Sequence, residues 1–139
     1  MSVSFDSAAI LEAARRAAMR AIVRGTESVR NEAISLILNA PKTGRVYQRR
    51  GVEHQASAPG EPPASDIGRL VNSIRTSYDV GELVGTVIAS TAYAPHLEYG
   101  TQKIEPRPFM RPALASRRAD IEADVQREVS AALAAALRR

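Results

Sequence analysis

The chain's two histidines, His54 and His96, each have a carboxylate close by, at Glu53 and Glu98. An imidazole beside a carboxylate can hold a metal or move a proton, so these pairs are the first place to look for chemistry. Neither pair has metal-ligand spacing on a helix or in a loop. Ser90, His96 and Glu98 include the residue types of a nucleophilic triad. A triad is defined by geometry, however, and no strained nucleophile turn or oxyanion-hole segment accompanies these three. No Gly-x-Ser-x-Gly elbow, phosphate-cradling loop or dinucleotide fingerprint occurs. With no cysteine, a disulfide framework, a thiolate metal site and a cysteine nucleophile are all excluded. The histidines therefore read as structural, and the chain as a non-enzyme without metal or cofactor.

The most informative stretch surrounds His96. Tyr93-Ala94-Pro95-His96-Leu97-Glu98-Tyr99-Gly100-Thr101 is followed by Glu105-Pro106-Arg107-Pro108-Phe109-Met110-Arg111-Pro112. Pro95 suits the first turn of a short helix, where its missing N–H satisfies nothing anyway. Gly100 suits the left-handed stop after it. Pro108 restricts Arg107 to extended geometry, making 106–108 a stiff strut that delivers Phe109 into a new helix. On these grounds Tyr93, Tyr99, Gly100 and Phe109 carry a structural role. Tyr99 and Phe109 are expected to be buried between the short helix, the strands and the last helix.

The same residues resemble the signature of a tailed-phage virion family, the small head–tail joining proteins also called neck or tail-completion proteins. Upstream pieces fall in the family's order: Thr43-Gly44-Arg45-Val46-Tyr47, then His54 to Ala64 with Pro59-Gly60-Glu61-Pro62-Pro63, then Gly68-Arg69-Leu70-Val71-Asn72-Ser73-Ile74. The resemblance covers about residues 43–114. It implies no catalytic residues. Its motif positions here are Tyr93, Pro95, Tyr99, Gly100, Thr101, Pro108 and Phe109.

The remaining chain must position that motif. At 139 residues with a 45% hydrophobic but only 4% aromatic composition, it reads as a single domain, 1–139, with a modest core. The opening residues lack the pattern of a signal peptide, and no apolar run is long enough to cross a membrane, so a soluble protein is expected. A pI near 10 and net charge of +4 invite a nucleic-acid reading. The excess is spread thinly along the chain, whereas a dedicated DNA binder clusters its cations on one face.

Residues 6–40 predict one long helix, capped by Asp6 or Ser7 and stopped by Asn39-Ala40-Pro41. Its apolar stripe runs through Leu11, Ala14, Ala18, Ile22, Val29, Ala33, Leu36 and Ala40. Gly25 interrupts the stripe and implies a kink or a close helix contact. Arg16, Arg20 and Arg24 form a ladder at i, i+4 spacing and are subunit-interface candidates, although Glu12 and Glu27 lie within reach to make an ordinary solvated face. Residues 41–65 read as a mobile, basic, Pro/Gly-rich arm. Lys42, Arg45, Arg49 and Arg50 would face a partner or DNA, and a short hairpin is expected through Val46-Tyr47 and Gly51-Val52. Ser65 or Asp66 would cap a short helix through Ile67, Leu70 and Val71. An antiparallel hairpin follows, with Ile74, Thr76, Tyr78 and Val80 alternating, a turn at Gly81-Glu82, and a return over Leu83–Thr91. Leu114, Ile121, Val125, Val129, Leu133 and Leu137 mark a second long helix. The fold class is α+β, a small antiparallel sheet packed by N- and C-terminal long helices plus short ones.

The resemblance implies a ring at the head–tail junction, most simply a hexamer in the virion and a monomer when isolated. Its partners would be further copies of itself and neighbouring head-completion, tail-terminator or tail-tube proteins. DNA would be only the channel content, and no membrane is involved. The site of action would be the virion, with assembly in the host cytoplasm. The alternatives are a basic nucleic-acid-binding domain, which explains only the pI, and a small hydrolase.

Overall fold

The Asp6 carboxylate accepts the Ala9 N–H at 3.0 Å and starts α1, which runs from Ser7 to Asn39 before Ala40 turns extended ahead of Pro41. In the computed structural model, which describes residues 1–65 and 68–138, this helix is the spine for everything else. The elements that follow are β1 (Val46–Arg49), β2 (Val52–Gln55), α2 (Arg69–Ser73), β3 (Ile74–Asp79), β4 (Val84–Ala89), α3 (Ala94–Tyr99) and α4 (Met110–Ala136). The α+β class with two long terminal helices is as expected, and the strands form two antiparallel hairpins, β1–β2 and β3–β4.

α4 lies antiparallel along α1. Glu32 meets Arg117, Gly25 meets Ile121, and Arg20 and Arg24 meet Glu128 and Asp124. Gly25 serves close helix contact, because a Cβ there would sit 2.8 Å from Ile121 Cγ1. Small side chains decide which face of α1 is covered. Its buried residues are Ala17, Ala18, Ala21, Gly25, Thr26, Val29, Ala33 and Ile37. That corrects the expected stripe, since Leu11 lies largely exposed and Ala17, Ala21 and Ile37 replace it and its neighbours. Alanine and glycine let the two helix backbones approach, which leucine would prevent.

β3 and β4 lie across α1 in the register Ile74↔Ala89 to Asp79↔Val84, so the turn spans 80–83. Gly85 sets their separation, because a Cβ there would fall 2.0 Å from Thr26 Oγ1. Glu27 accepts hydrogen bonds from the hydroxyls of Thr76 (2.8 Å) and Tyr78 (2.6 Å), and Arg30 Nε donates to the Ile74 carbonyl. Only the base of the hairpin is sealed, with Ile74 buried while Tyr78 and Val80 are exposed. The expected inward alternation therefore fades toward the tip, where Val80 and Val84 are exposed.

The core is small: Val29, Ala33, Ile37, Leu70, Ile74, Ala94, Phe109 and Ala113, of which Phe109, Ile37 and Ile74 are the largest fully buried side chains. In α4 only Ala113 is buried, while Ile121, Val125, Val129 and Leu133 are half-covered and Leu114 and Leu137 are exposed. α2 begins after Gly68, which has φ 73° and offers no side-chain cap, so Ser65 does not cap it. Asp66 and Ile67 lie outside the described residues.

Candidate functional site: the Glu98 elbow

The six residues of α3 are too few to hold a helix alone. Tyr93 occupies the N-cap position with Pro95 in the first turn, and the Gly100 N–H closes the helix on the His96 carbonyl at 2.9 Å. Gly100 has φ 74°, and a Cβ there would lie 2.8 Å from the Ile104 carbonyl oxygen and 2.9 Å from Pro106. The position therefore excludes a side chain on two counts, backbone conformation and space. Thr101 sets the next turn, its Oγ1 accepting from the N–H groups of Lys103 and Ile104 while its own N–H donates to the Ile104 carbonyl. The 106–108 strut then runs back beside α3, with the Arg107 N–H donating to Leu97 O at 2.6 Å.

This brings Glu98 to the start of α4. Its buried carboxylate accepts the N–H groups of Phe109 (2.8 Å), Met110 (3.0 Å) and Arg111 (2.8 Å), plus Arg111 Nε at 3.0 Å. Arg111 also donates to the Glu98 carbonyl at 2.9 Å. A helix N-terminus leaves its first N–H groups unpaired and carries partial positive charge, so one carboxylate satisfies both demands. Burial pushes the carboxyl upward. The three backbone N–H groups and the Arg111 guanidinium outweigh it and hold the group below the usual carboxylate range.

Glu98 is the residue that reasoning from sequence missed. In the sequence Glu98 stands out only as a partner for His96. The usable signal was a lone acid four residues after Ala94 on the inward side of a short helix, with α4 itself lacking a capping side chain. Its neighbour Tyr99 sits about 100° further round the helix. The expectation that Tyr99 is buried is corrected: it is 65% exposed, with the Arg111 guanidinium carbon 4.7 Å from its ring centroid. Phe109 is fully buried, as expected, and Tyr93 is exposed. The paper triad does not assemble, since Ser90 Oγ donates to Ser73 O and both carboxylate oxygens of Glu98 are taken by the cap.

The other candidates fall in two places. In the 41–65 segment, Tyr47 and His54 stack across the β1–β2 hairpin, with centroids 5.6 Å apart. The tip is Arg50-Gly51, both at positive φ, and Arg45, Arg49 and Arg50 are exposed along the hairpin. Lys42 instead turns back to cap α1, its Nζ donating to Leu36 O at 2.9 Å. Glu61 clasps the base, accepting from the Thr43 N–H and hydroxyl and from the Ala58 N–H. The clasp abuts the strut, where the Gly60 N–H donates to Pro106 O and Arg107 donates to Ser57 O. Segment and motif thus form one hydrogen-bonded unit.

The arginine ladder of α1 lies elsewhere and is used within the chain. Arg24 pairs with Asp124 (3.0 Å) and Glu128 (2.8 Å), Arg20 with Glu128, and Arg16 with Glu12. Among the described residues no cluster of three or more His, Asp or Glu can hold a metal, and no helix is long and apolar enough to cross a membrane. No family model, curated protein or solved structure matches the chain.

Proposed function

We propose that the chain is a structural protein of a tailed phage or phage-like particle, forming a ring at the head–tail junction and joining head to tail. The observation that carries this reading is the union of the ordered motifs. The Glu98 cap ties the Tyr93–Thr101 piece to the Phe109–Pro112 piece, and Arg107 and Gly60 tie both to the 57–61 tract. Two uncovered apolar surfaces, on the β3–β4 hairpin and along α4, supply what a ring needs from each subunit. The proposal gives the elbow no catalytic task; it is a rigid joint fixing the angle between α3, the hairpin base and α4. The ring is sixfold in the virion, with neighbouring head-completion and tail-terminator or tail-tube proteins as its other contacts.

The test is complementation in vitro. Filled heads and tails from particles lacking this protein are mixed with the purified chain and scored for joined particles by electron microscopy. Joining that depends on the added chain supports the reading; heads and tails that join equally without it refute it. The nucleic-acid alternative rests on the exposed hairpin arginines Arg45, Arg49 and Arg50. It requires duplex binding whose logarithm falls with log salt by about 0.9 per phosphate contact.

A further inference from the structure

Between β4 and α4 the fold leaves a groove of about 530 Å³ with α1 as its floor, lined by Ile22 and Val29 from α1, Val87 from β4, and Met110, Leu114 and Ile121 from α4. One wall is an open sheet edge, because among the described residues β4 pairs only with β3. An antiparallel edge strand leaves the N–H and C=O of every second residue unpaired, a template for one more strand. Among the described residues no backbone group outside β3 bonds to residues 84–89.

A segment with matching properties lies in the same chain. Residues 1–5, Met-Ser-Val-Ser-Phe, alternate apolar and polar side chains with the period of a strand. They form neither helix nor strand and make no backbone hydrogen bond among the described residues. Val3 is 78% and Phe5 74% exposed, although both lie over a cleft beside Ala132 and Leu137. So the chain carries a strand-patterned segment without a sheet and a sheet edge without a strand.

The segment cannot serve its own groove. Ile22 lies fifteen residues beyond Ser7, about 22 Å along the helix. Five extended residues span at most about 17 Å, so even folded back along α1 the segment stops short. It is, however, close to the length of six-residue β4, about 20 Å.

We propose that residues 1–5 of one copy add as a strand to the β4 edge of a neighbouring copy, with Val3 and Phe5 entering the apolar groove. Main-chain hydrogen bonds supply the grip, and the alternate side chains fix the register. Segment and groove are different surfaces of one subunit, so the contact is head-to-tail and propagates around a ring. The proposal deepens the ring reading above and rests on it for the closure of the contact.

The absence of native cysteine allows a direct test. Full-length Val3→Cys and Leu114→Cys chains are mixed in equal amounts at high concentration and treated with a short bismaleimide. Both positions are exposed, so neither substitution disturbs the core. The expected result is a mixed dimer formed several-fold more efficiently than from Val3→Cys with a Ser130→Cys control on α4. Adding Phe5→Asp to the Val3→Cys chain should abolish that excess. A mixed-dimer yield no greater than the control overturns the proposal, as does an excess indifferent to Phe5→Asp. A Leu114–Leu114 product in its place identifies edge-to-edge pairing of two hairpins and also overturns it. Cross-linking here and head–tail joining above are read separately. Joined particles without the cross-link sink only the strand addition, and the cross-link without joining sinks only the virion role.

Discussion

Replacing Glu98 by glutamine tests whether the elbow depends on charge or on shape. Glutamine keeps nearly the same volume and one acceptor oxygen. It removes the negative charge and turns an NH2 group toward donors that need an acceptor. The carboxylate now serves three backbone N–H groups at 2.8–3.0 Å and the Arg111 guanidinium at 3.0 Å, in a buried position. Hydrogen bonds to a charged group contribute about 1.5–3 kcal/mol net, and a buried donor left without a partner costs a similar amount. With Arg111 itself partly solvated and free to find water, the expected loss for Glu98→Gln is about 2–3 kcal/mol. Glu98→Ala, which leaves all the donors without the acceptor, should cost about 3–5 kcal/mol. For a domain of this length that lowers Tm by roughly 3–4 °C per kcal/mol.

The pH dependence of the same pair of proteins carries the sign. The folded-state carboxyl lies below its ordinary 4.5, so its contribution is complete above that value and is lost as pH falls through the folded-state pKa. The parent should therefore lose stability relative to Glu98→Gln on acidification below about pH 4.5, and their urea midpoints should converge. A Glu98→Gln midpoint within about 0.5 kcal/mol of the parent at pH 7 would refute the claim that this charge holds the elbow together.

Gly100→Val should destabilise by more than the roughly 1 kcal/mol of an ordinary glycine effect, since φ 74° and the Ile104 carbonyl at 2.8 Å both oppose a side chain; thermal melts decide it. Phe109→Ala should cost about 3–5 kcal/mol in chemical unfolding, because it empties the centre of a small core. Gly25→Ala should lower stability, and Ile121→Ala, which removes the Cγ1 and Cγ2 that the new Cβ meets at 2.8 and 3.0 Å, should cost less in the Gly25→Ala chain than in the parent; equal costs in both backgrounds would exclude that contact as the cause. The hairpin of the 41–65 segment, exposed at Arg45, Arg49 and Arg50, should be cleaved there in the free chain and protected in the assembled junction; equal protection in both states would count against its being covered on assembly.

Much of the local structure was legible in the sequence because it depends on neighbours along the chain. Asp6 and Pro41 bound the first helix, the alternation from Ile74 marks β3, and Pro95 and Gly100 bracket α3; the short hairpin expected through Val46-Tyr47 and Gly51-Val52 also forms, although Gly51 belongs to its turn with Arg50 and not to a strand. Backbone conformation and terminal capping act over a few residues, so residue type is enough to read them. The choice of face was not legible in the same way. A stripe from Leu11 through Leu36 satisfies helical periodicity, yet the covered face runs through Ala17, Ala21 and Gly25, because α4 can approach only over small side chains. Hydrophobicity names the candidates for burial, but the partner's surface decides among them. Glu98 and Tyr99 make the same point at the site. Sequence gives an aromatic residue the stronger claim on the interior, and the structure buries the acid and exposes the ring. Eleven residues separate Glu98 from the Phe109 N–H, and only the reversal through Gly100, Thr101 and the strut brings the unpaired helix N-terminus onto that carboxylate. A buried charge is tolerable only where several donors converge, and that convergence belongs to the tertiary fold.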